Sequence, residues 1–82
     1  MSEDRATRLK RLQMRSWRRG TKEMDLILGR FWDDHGANLD AATLDAYEAL
    51  LNENDQDLYQ WASGQVAPPP AHADILSRIL SR

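Results

Sequence analysis

The feature that most constrains the fold is a helical spacing of apolar residues. Its clearest instance is Met24, Ile27, Leu28 and Phe31, at positions i, i+3, i+4 and i+7. Residues at this spacing share one helix face, which a soluble protein buries. We find no segment with the alternating pattern of a strand. The sequence therefore predicts an all-α fold.

Capping and breaking residues divide this pattern into about five short helices. They are predicted at about residues 5–17, 21–35, after the N-cap Asp40, from Asn54 or Asp55 to before Gly64, and at about 71–81. Leu39 and Leu44 are spaced as a hydrophobic staple, and Gly36 is expected to stop the second helix. A proline-rich linker at 65–70 precedes the last helix. We expect one compact bundle, a single domain over residues 1–82.

The chain is too small for a cofactor-binding fold with a separate substrate domain, because it has only 82 residues. It has no cysteine, and its two histidines lie in different segments. The four glycines are isolated, without a phosphate loop or nucleophile elbow. We therefore predict no catalytic, cofactor-binding or metal-binding residues, and His35 is read as a solvated helix end.

Apolar runs are short, and none approaches the ~20 residues that span a bilayer. Residues 1–4 include two acids and no apolar signal region. The arginines that follow run directly into the core pattern, which counts against a mitochondrial presequence. The expectation at this point is a bacterial cytoplasmic protein that does not insert into membranes.

Charge is distributed unevenly along the chain. Residues 1–23 carry a net charge of +5, whereas residues 24–82 carry −7. Arg8, Arg11 and Arg15 fall on one helical stripe, which could contact nucleic-acid phosphates or simply keep the helix soluble. The acidic pI of about 5.6 is atypical of a dedicated nucleic-acid binder. We expect no nucleic-acid partner.

The segment Arg18–Glu23 has two interpretations of equal weight. Gly20 permits a sharp turn, with Glu23 near N3 of the next helix and able to pair with Arg19, which makes a helix corner. The same residues could dock a partner. Trp17 is likewise either a partner-contact anchor or a structural plug.

Two blocks of residues carry a family resemblance that covers residues 11–64. The first block is Arg19-Gly20-x-x-Glu23, preceded by Arg11-Leu12 and Arg15-Ser16 and followed by Asp25, Leu26, Ile27, Leu28 and Phe31. The second comprises Tyr47, Leu51, Asp55, Asp57, Leu58, Trp61 and Gly64. Together they resemble the succinate dehydrogenase assembly factor 2 family (SdhE in bacteria) and its RGxxE motif.

The resemblance implies a non-enzymatic chaperone, and we expect the chain to be a monomer. Such a protein binds the flavoprotein subunit of succinate dehydrogenase, with fumarate reductase as a second candidate, and promotes covalent attachment of FAD without binding FAD tightly itself. It makes Arg19, Gly20 and Glu23 the principal contacts, with Arg15 and Arg18 as supporting contacts. The alternatives are an antitoxin-like inhibitor of a membrane-associated toxin and a small nucleic-acid-binding regulator.

Overall fold

The computed structural model describes residues 3–81 and contains five α-helices. They are α1 (Arg5–Trp17), α2 (Lys22–His35), α3 (Ala41–Leu51), α4 (Asp55–Ala62) and α5 (Pro70–Leu80), with a short 3-10 turn at Gly36–Asn38. Residues 3–81 contain no strand. The prediction of an all-α bundle of five short helices is confirmed. None of these helices is long and apolar enough to cross a membrane.

Four of the helices have an N-terminus that is capped by a side chain. The capping side chains, each accepting a hydrogen bond from a first-turn amide, are Asp4, Thr21, Asp40 and Asn54. Asp40 was predicted, and its bond from the Thr43 amide is 2.8 Å long. The second helix begins one residue later than expected, because Thr21 caps it and Glu23 takes position N2 rather than N3.

The predicted end of α2 is confirmed, whereas the predicted start of α5 is one residue late. Gly36 is the C-cap of α2, and with a right-handed φ of −54° it leads into the 3-10 turn. A Cβ there would lie 2.4 Å from the Trp32 ring, so the glycine provides space. Pro70 belongs to α5 as its first residue, because proline lacks only an amide that would be unbonded there.

Helices from every part of the chain share one hydrophobic core. It consists of Leu12, Met24, Leu28, Phe31, Trp32, Leu39, Leu44, Tyr47, Leu50, Leu51, Leu58, Ile75, Leu76 and Ile79. Leu39 and Leu44 are both buried, as the staple requires. The single domain over residues 1–82 stays a prediction, because residues 1, 2 and 82 lie outside the described residues.

A pair of hydroxyls lies within this core. Ser16 Oγ and Tyr47 Oη are 2.6 Å apart, and Ser16 also donates to the Leu12 carbonyl at 2.8 Å. Burial raises the pKa of Tyr47 to about 12. The pair satisfies polar groups that would otherwise be unbonded in the core, and it ties α1 to α3.

Trp17 packs α1 against α2. A Cβ on Gly29 would lie 2.4 Å from the Trp17 ring, so only glycine leaves room for the indole at this position of α2. The indole Nε1 donates to Asp33 Oδ1 at 3.2 Å. These contacts give Trp17 the structural role that was one of its two interpretations.

Candidate docking site

The arginine stripe of α1 faces α3. Arg8 bonds to Asp45 at 2.7 Å and Glu48 at 3.1 Å, and Arg11 bonds to Glu48 at 2.7 Å and Glu3 at 2.8 Å. Hydrogen bonds and charge from Arg11 and Arg8 lower the pKa of Glu48 below its ordinary value. Arg8 and Arg11 of the stripe therefore belong to a network of ion pairs within the chain.

Arg15 continues this network at the end of α3. Its Nη2 donates to the Leu51 carbonyl at 3.1 Å and to Asn52 Oδ1 at 2.8 Å. A carbonyl at a helix C-terminus lacks an intrahelical donor, so Arg15 satisfies one such group. Its supporting contact with a partner stays a prediction.

Arg19 is the most fully bonded side chain of the corner between α1 and α2. Its Nε donates to Asp55 Oδ1 at 2.9 Å, Nη1 to the Leu51 carbonyl at 2.8 Å, and Nη2 to the Glu53 carbonyl at 2.8 Å. The side chain is only 10% exposed. The expected pairing of Arg19 with Glu23 is wrong, because the guanidinium faces the α3–α4 connection.

The backbone of the corner places this arginine. The Arg19 amide donates to Asp25 Oδ1 at 2.7 Å, and Gly20 has a φ of +99° that L side chains rarely adopt. A Cβ on Gly20 would meet only Asp55 Oδ2, at 3.6 Å. Gly20 is therefore required for the turn itself rather than for space.

Three charged side chains of the corner point away from the fold. Arg18, Lys22 and Glu23 are all exposed. Within residues 3–81, none of the three forms a side-chain hydrogen bond or an ion pair. The corner thus has an inward side made by Arg19 and an outward side made by these residues. Partner contact through Arg18, Gly20 and Glu23 stays a prediction.

Glu23 also borders an open groove between the start of α2 and α4. This groove, here called the Tyr59 groove, has a volume of about 550 Å³ and is lined by Thr21, Glu23, Asp55, Gln56, Tyr59, Gln60 and Gln65. Tyr59 is 43% exposed. Sequence reasoning missed Tyr59, although its position next to Leu58 turns it away from the buried face.

The two histidines do not share a site. His35 is exposed at the end of α2, which confirms its interpretation as a solvated helix end. His72 is buried, and its Nε2 lies 2.8 Å from Glu53 Oε2. Within residues 3–81, no three potential ligands are grouped to hold a metal ion.

The chain is similar to a known protein family over most of its length. Residues 10–82 match the family model Sdh5, described as flavinator of succinate dehydrogenase. The match continues past residue 64, where the resemblance noted from the sequence ended. No solved structure shows a significant match to the chain.

Curated relatives bear the name succinate dehydrogenase assembly factor 2, mitochondrial. The protein of Meyerozyma guilliermondii is 44% identical over 61 residues, 74% of this chain and 45% of that protein. The protein of Mycosarcoma maydis is 41% identical over 70 residues, 85% of this chain and 29% of that protein. Assembly factor 2-B of Drosophila persimilis is 35% identical over 78 residues, 93% of this chain and 50% of that protein. The chain thus spans half the length of these relatives or less.

The expected bacterial cytoplasmic location is contradicted by these relatives. Each is named as a mitochondrial protein, and they come from fungi and a fly. The residue pattern of a helical bundle shows which residues are buried and which are exposed. That pattern is the same in the bacterial cytoplasm and in mitochondria, so it could not distinguish the two locations. The match over residues 10–82 does decide the family: the chain belongs to the Sdh5 family, the flavinators of succinate dehydrogenase.

Proposed function

We propose that this chain is an assembly factor that binds the flavoprotein subunit of succinate dehydrogenase and promotes its covalent flavinylation. The observation that carries the proposal is the outward side of the corner, where Arg18, Lys22 and Glu23 are exposed. Charges without internal partners are available to complement a polar protein surface. The chain belongs to the Sdh5 family, and we assign the docking of its partner to this corner.

The residues of the corner have two different roles in this proposal, direct contact and support. Arg18, Gly20 and Glu23 contact the flavoprotein directly, Glu23 as a hydrogen-bond acceptor and Gly20 by allowing close backbone approach. Arg19 and Arg15 support the corner indirectly, because their guanidinium groups bond to the α3–α4 connection. This assignment differs from the one that the resemblance implied, in which Arg19 was itself a principal contact.

The Tyr59 groove beside the corner does not suit FAD, because its lining includes the exposed carboxylate of Glu23, which would repel the pyrophosphate of the dinucleotide. We therefore assign the flavin entirely to the partner. The chain contributes no catalytic residue in this proposal.

The chain acts instead on the geometry of its partner. A covalent bond to the flavin requires a flavoprotein side chain to be held against the flavin ring. Aligning two reacting groups in one complex can supply a large part of a rate enhancement. A rigid corner, fixed by the bonds of Arg19, is suited to hold the flavoprotein in one arrangement.

The test is to produce the flavoprotein subunit with and without this chain, with FAD supplied. The flavin fluorescence of the denatured flavoprotein band measures covalent attachment. We expect strong fluorescence with the wild-type chain and several-fold less with Glu23→Gln. Asp74→Asn, which removes an exposed carboxylate from α5, is the matched control and should behave as the wild type.

Equal covalent flavin with and without the chain would refute the proposal. The flavoprotein of fumarate reductase can be run in the same assay as the second candidate partner. The nucleic-acid alternative has no comparable support, because Arg8 and Arg11 are bonded to acidic residues and Arg15 to the end of α3.

A further inference from the structure

We infer that the Tyr59 groove binds an extended, basic segment of the flavoprotein polypeptide. This inference rests on the proposed function and adds contact residues on α4, beyond the Arg18–Glu23 segment. It is carried by the charge of the groove, its hydrogen-bonding groups and its exposed aromatic residue.

The charged groups that line the groove are both carboxylates. Glu23 is exposed and supplies the uncompensated negative charge, whereas Asp55 is ion-paired with Arg19 through its Oδ1. The other oxygen, Oδ2, lies on the side of Gly20, where a Cβ would be 3.6 Å away. The groove therefore favours a lysine or arginine side chain and disfavours phosphates.

The remaining polar groups suit a polypeptide backbone. Gln56, Gln60 and Gln65 each offer an amide that can both donate and accept, and Thr21 adds a hydroxyl. An extended backbone presents N–H and C=O groups in alternation and needs both kinds of partner. A nucleic-acid strand presents mainly anionic acceptors along its backbone, which the carboxylates would repel.

Tyr59 supplies an anchor within the groove. Its ring is 43% exposed, and within residues 3–81 its hydroxyl forms no hydrogen bond. Val66, 46% exposed, stands next to α4, because its amide donates to the Gln60 carbonyl at 3.2 Å. Tyrosine is enriched among binding hot spots, because its ring buries a large area and its hydroxyl can form a hydrogen bond.

The groove is preformed by the bonds of Arg19. This side chain ties the first residue of α4, Asp55, to the corner that leads into α2. A partner segment then meets walls that are already in place, which lowers the entropy cost of binding.

The first measurement is the affinity of the purified flavoprotein subunit for variants of this chain. Tyr59→Ala is compared with Leu80→Ala, since the two side chains are 43% and 42% exposed. We expect Tyr59→Ala to bind about tenfold more weakly and Leu80→Ala to bind as the wild type. Thermal melting by circular dichroism verifies that both variants are folded.

The second measurement tests the charge of the occupant at Gln56. Gln56→Lys should weaken binding, whereas Gln56→Glu should bind at least as tightly as the wild type, with the difference shrinking at high salt. A photo-crosslinking residue in place of Tyr59 should capture a lysine- or arginine-containing peptide of the flavoprotein. Capture of a second copy of this chain would overturn the inference.

The outcomes separate the two proposals. If Tyr59→Ala and Gln56→Lys bind as the wild type while Glu23→Gln binds weakly, the groove inference is overturned and the docking corner stands. If the wild-type chain does not bind the flavoprotein subunit, the proposed function fails and the groove inference fails with it.

Discussion

The two corners of the bundle, α1–α2 and α3–α4, lie against each other and differ in where their polar groups point. The polar groups of the α3–α4 corner bond to other parts of the fold. The Leu51 carbonyl accepts hydrogen bonds from Arg15 and Arg19. The Glu53 carbonyl accepts one from Arg19, and the Glu53 carboxylate contacts His72. The α1–α2 corner leaves Arg18, Lys22 and Glu23 in solvent.

The difference shows that residues of a single short motif can lie in opposite environments. Arg18 and Arg19 are neighbours in sequence, yet one lies in solvent and the other is 10% exposed. In the proposed function, stability and docking therefore depend on different residues of the same corner. Substitutions that separate these properties test the comparison directly.

Replacing Arg19 should have the largest effect on stability. Arg19→Ala leaves Asp55, 16% exposed, without its cation and the Glu53 carbonyl without its donor, and the Leu51 carbonyl keeps only Arg15. We expect a loss of about 3 kcal/mol in the free energy of unfolding, with a smaller loss for Arg19→Lys, which cannot form the planar fork. Urea denaturation measures it. An unchanged midpoint combined with lost partner binding would restore Arg19 as a direct contact.

Gly20→Ala should have the next largest effect. An alanine at a φ of +99° is strained, with a cost of about 1–2 kcal/mol. Gly64→Ala is the matched control, because Gly64 has a φ of +82° and open space where a Cβ would stand. Both variants should lose similar stability, measured by denaturation, but only Gly20→Ala should weaken flavoprotein binding. Equal binding by both variants would remove Gly20 from the docking surface.

Acidification should weaken the inward-bonded network. The pKa of Glu48 is lowered from 4.5 by Arg11 and Arg8, so its contribution is present above that pH and is lost as pH falls through the folded-state value. Glu48→Gln should lose about 1 kcal/mol at pH 7 and show a shallower fall in stability below pH 4.5. Denaturation curves from pH 7 to 3 measure this; parallel curves for both proteins would contradict it.

Arg18→Ala should have the smallest effect on stability. The side chain is exposed, so the free energy of unfolding should change by less than about 0.5 kcal/mol. Binding to the flavoprotein subunit, measured by calorimetry, should nevertheless weaken. If Arg18→Ala is destabilised as much as Arg19→Ala, the difference between the inward and outward sides of the corner is contradicted.

The helices were predictable because their signals are local. The first helix has the predicted bounds, Arg5–Trp17, and Asp40 caps the third as its spacing from Leu44 indicated. Periodicity and capping act over three or four residues, so one stretch of sequence contains the whole signal.

The partners of the arginines were not predictable because they are distant in sequence. The stripe of Arg8 and Arg11 was recognised, but the carboxylate that neutralises it, Glu48, is 40 and 37 residues away. Arg19 was instead paired with the nearby Glu23, although its actual acceptors lie 32 to 36 residues later. Helical spacing shows which residues share a face but not what that face meets.

These long separations also determine when the corner forms during synthesis. A chain that has emerged from the ribosome only through α2 carries Arg15 and Arg19 without their acceptors, which arrive with residues 51–55. Contacts between distant parts of a chain form only after both parts exist. The motif is encoded early in the chain, but it takes its bonded form only when α4 has begun. A truncated product that ends before α4 therefore presents the sequence of the motif without its shape.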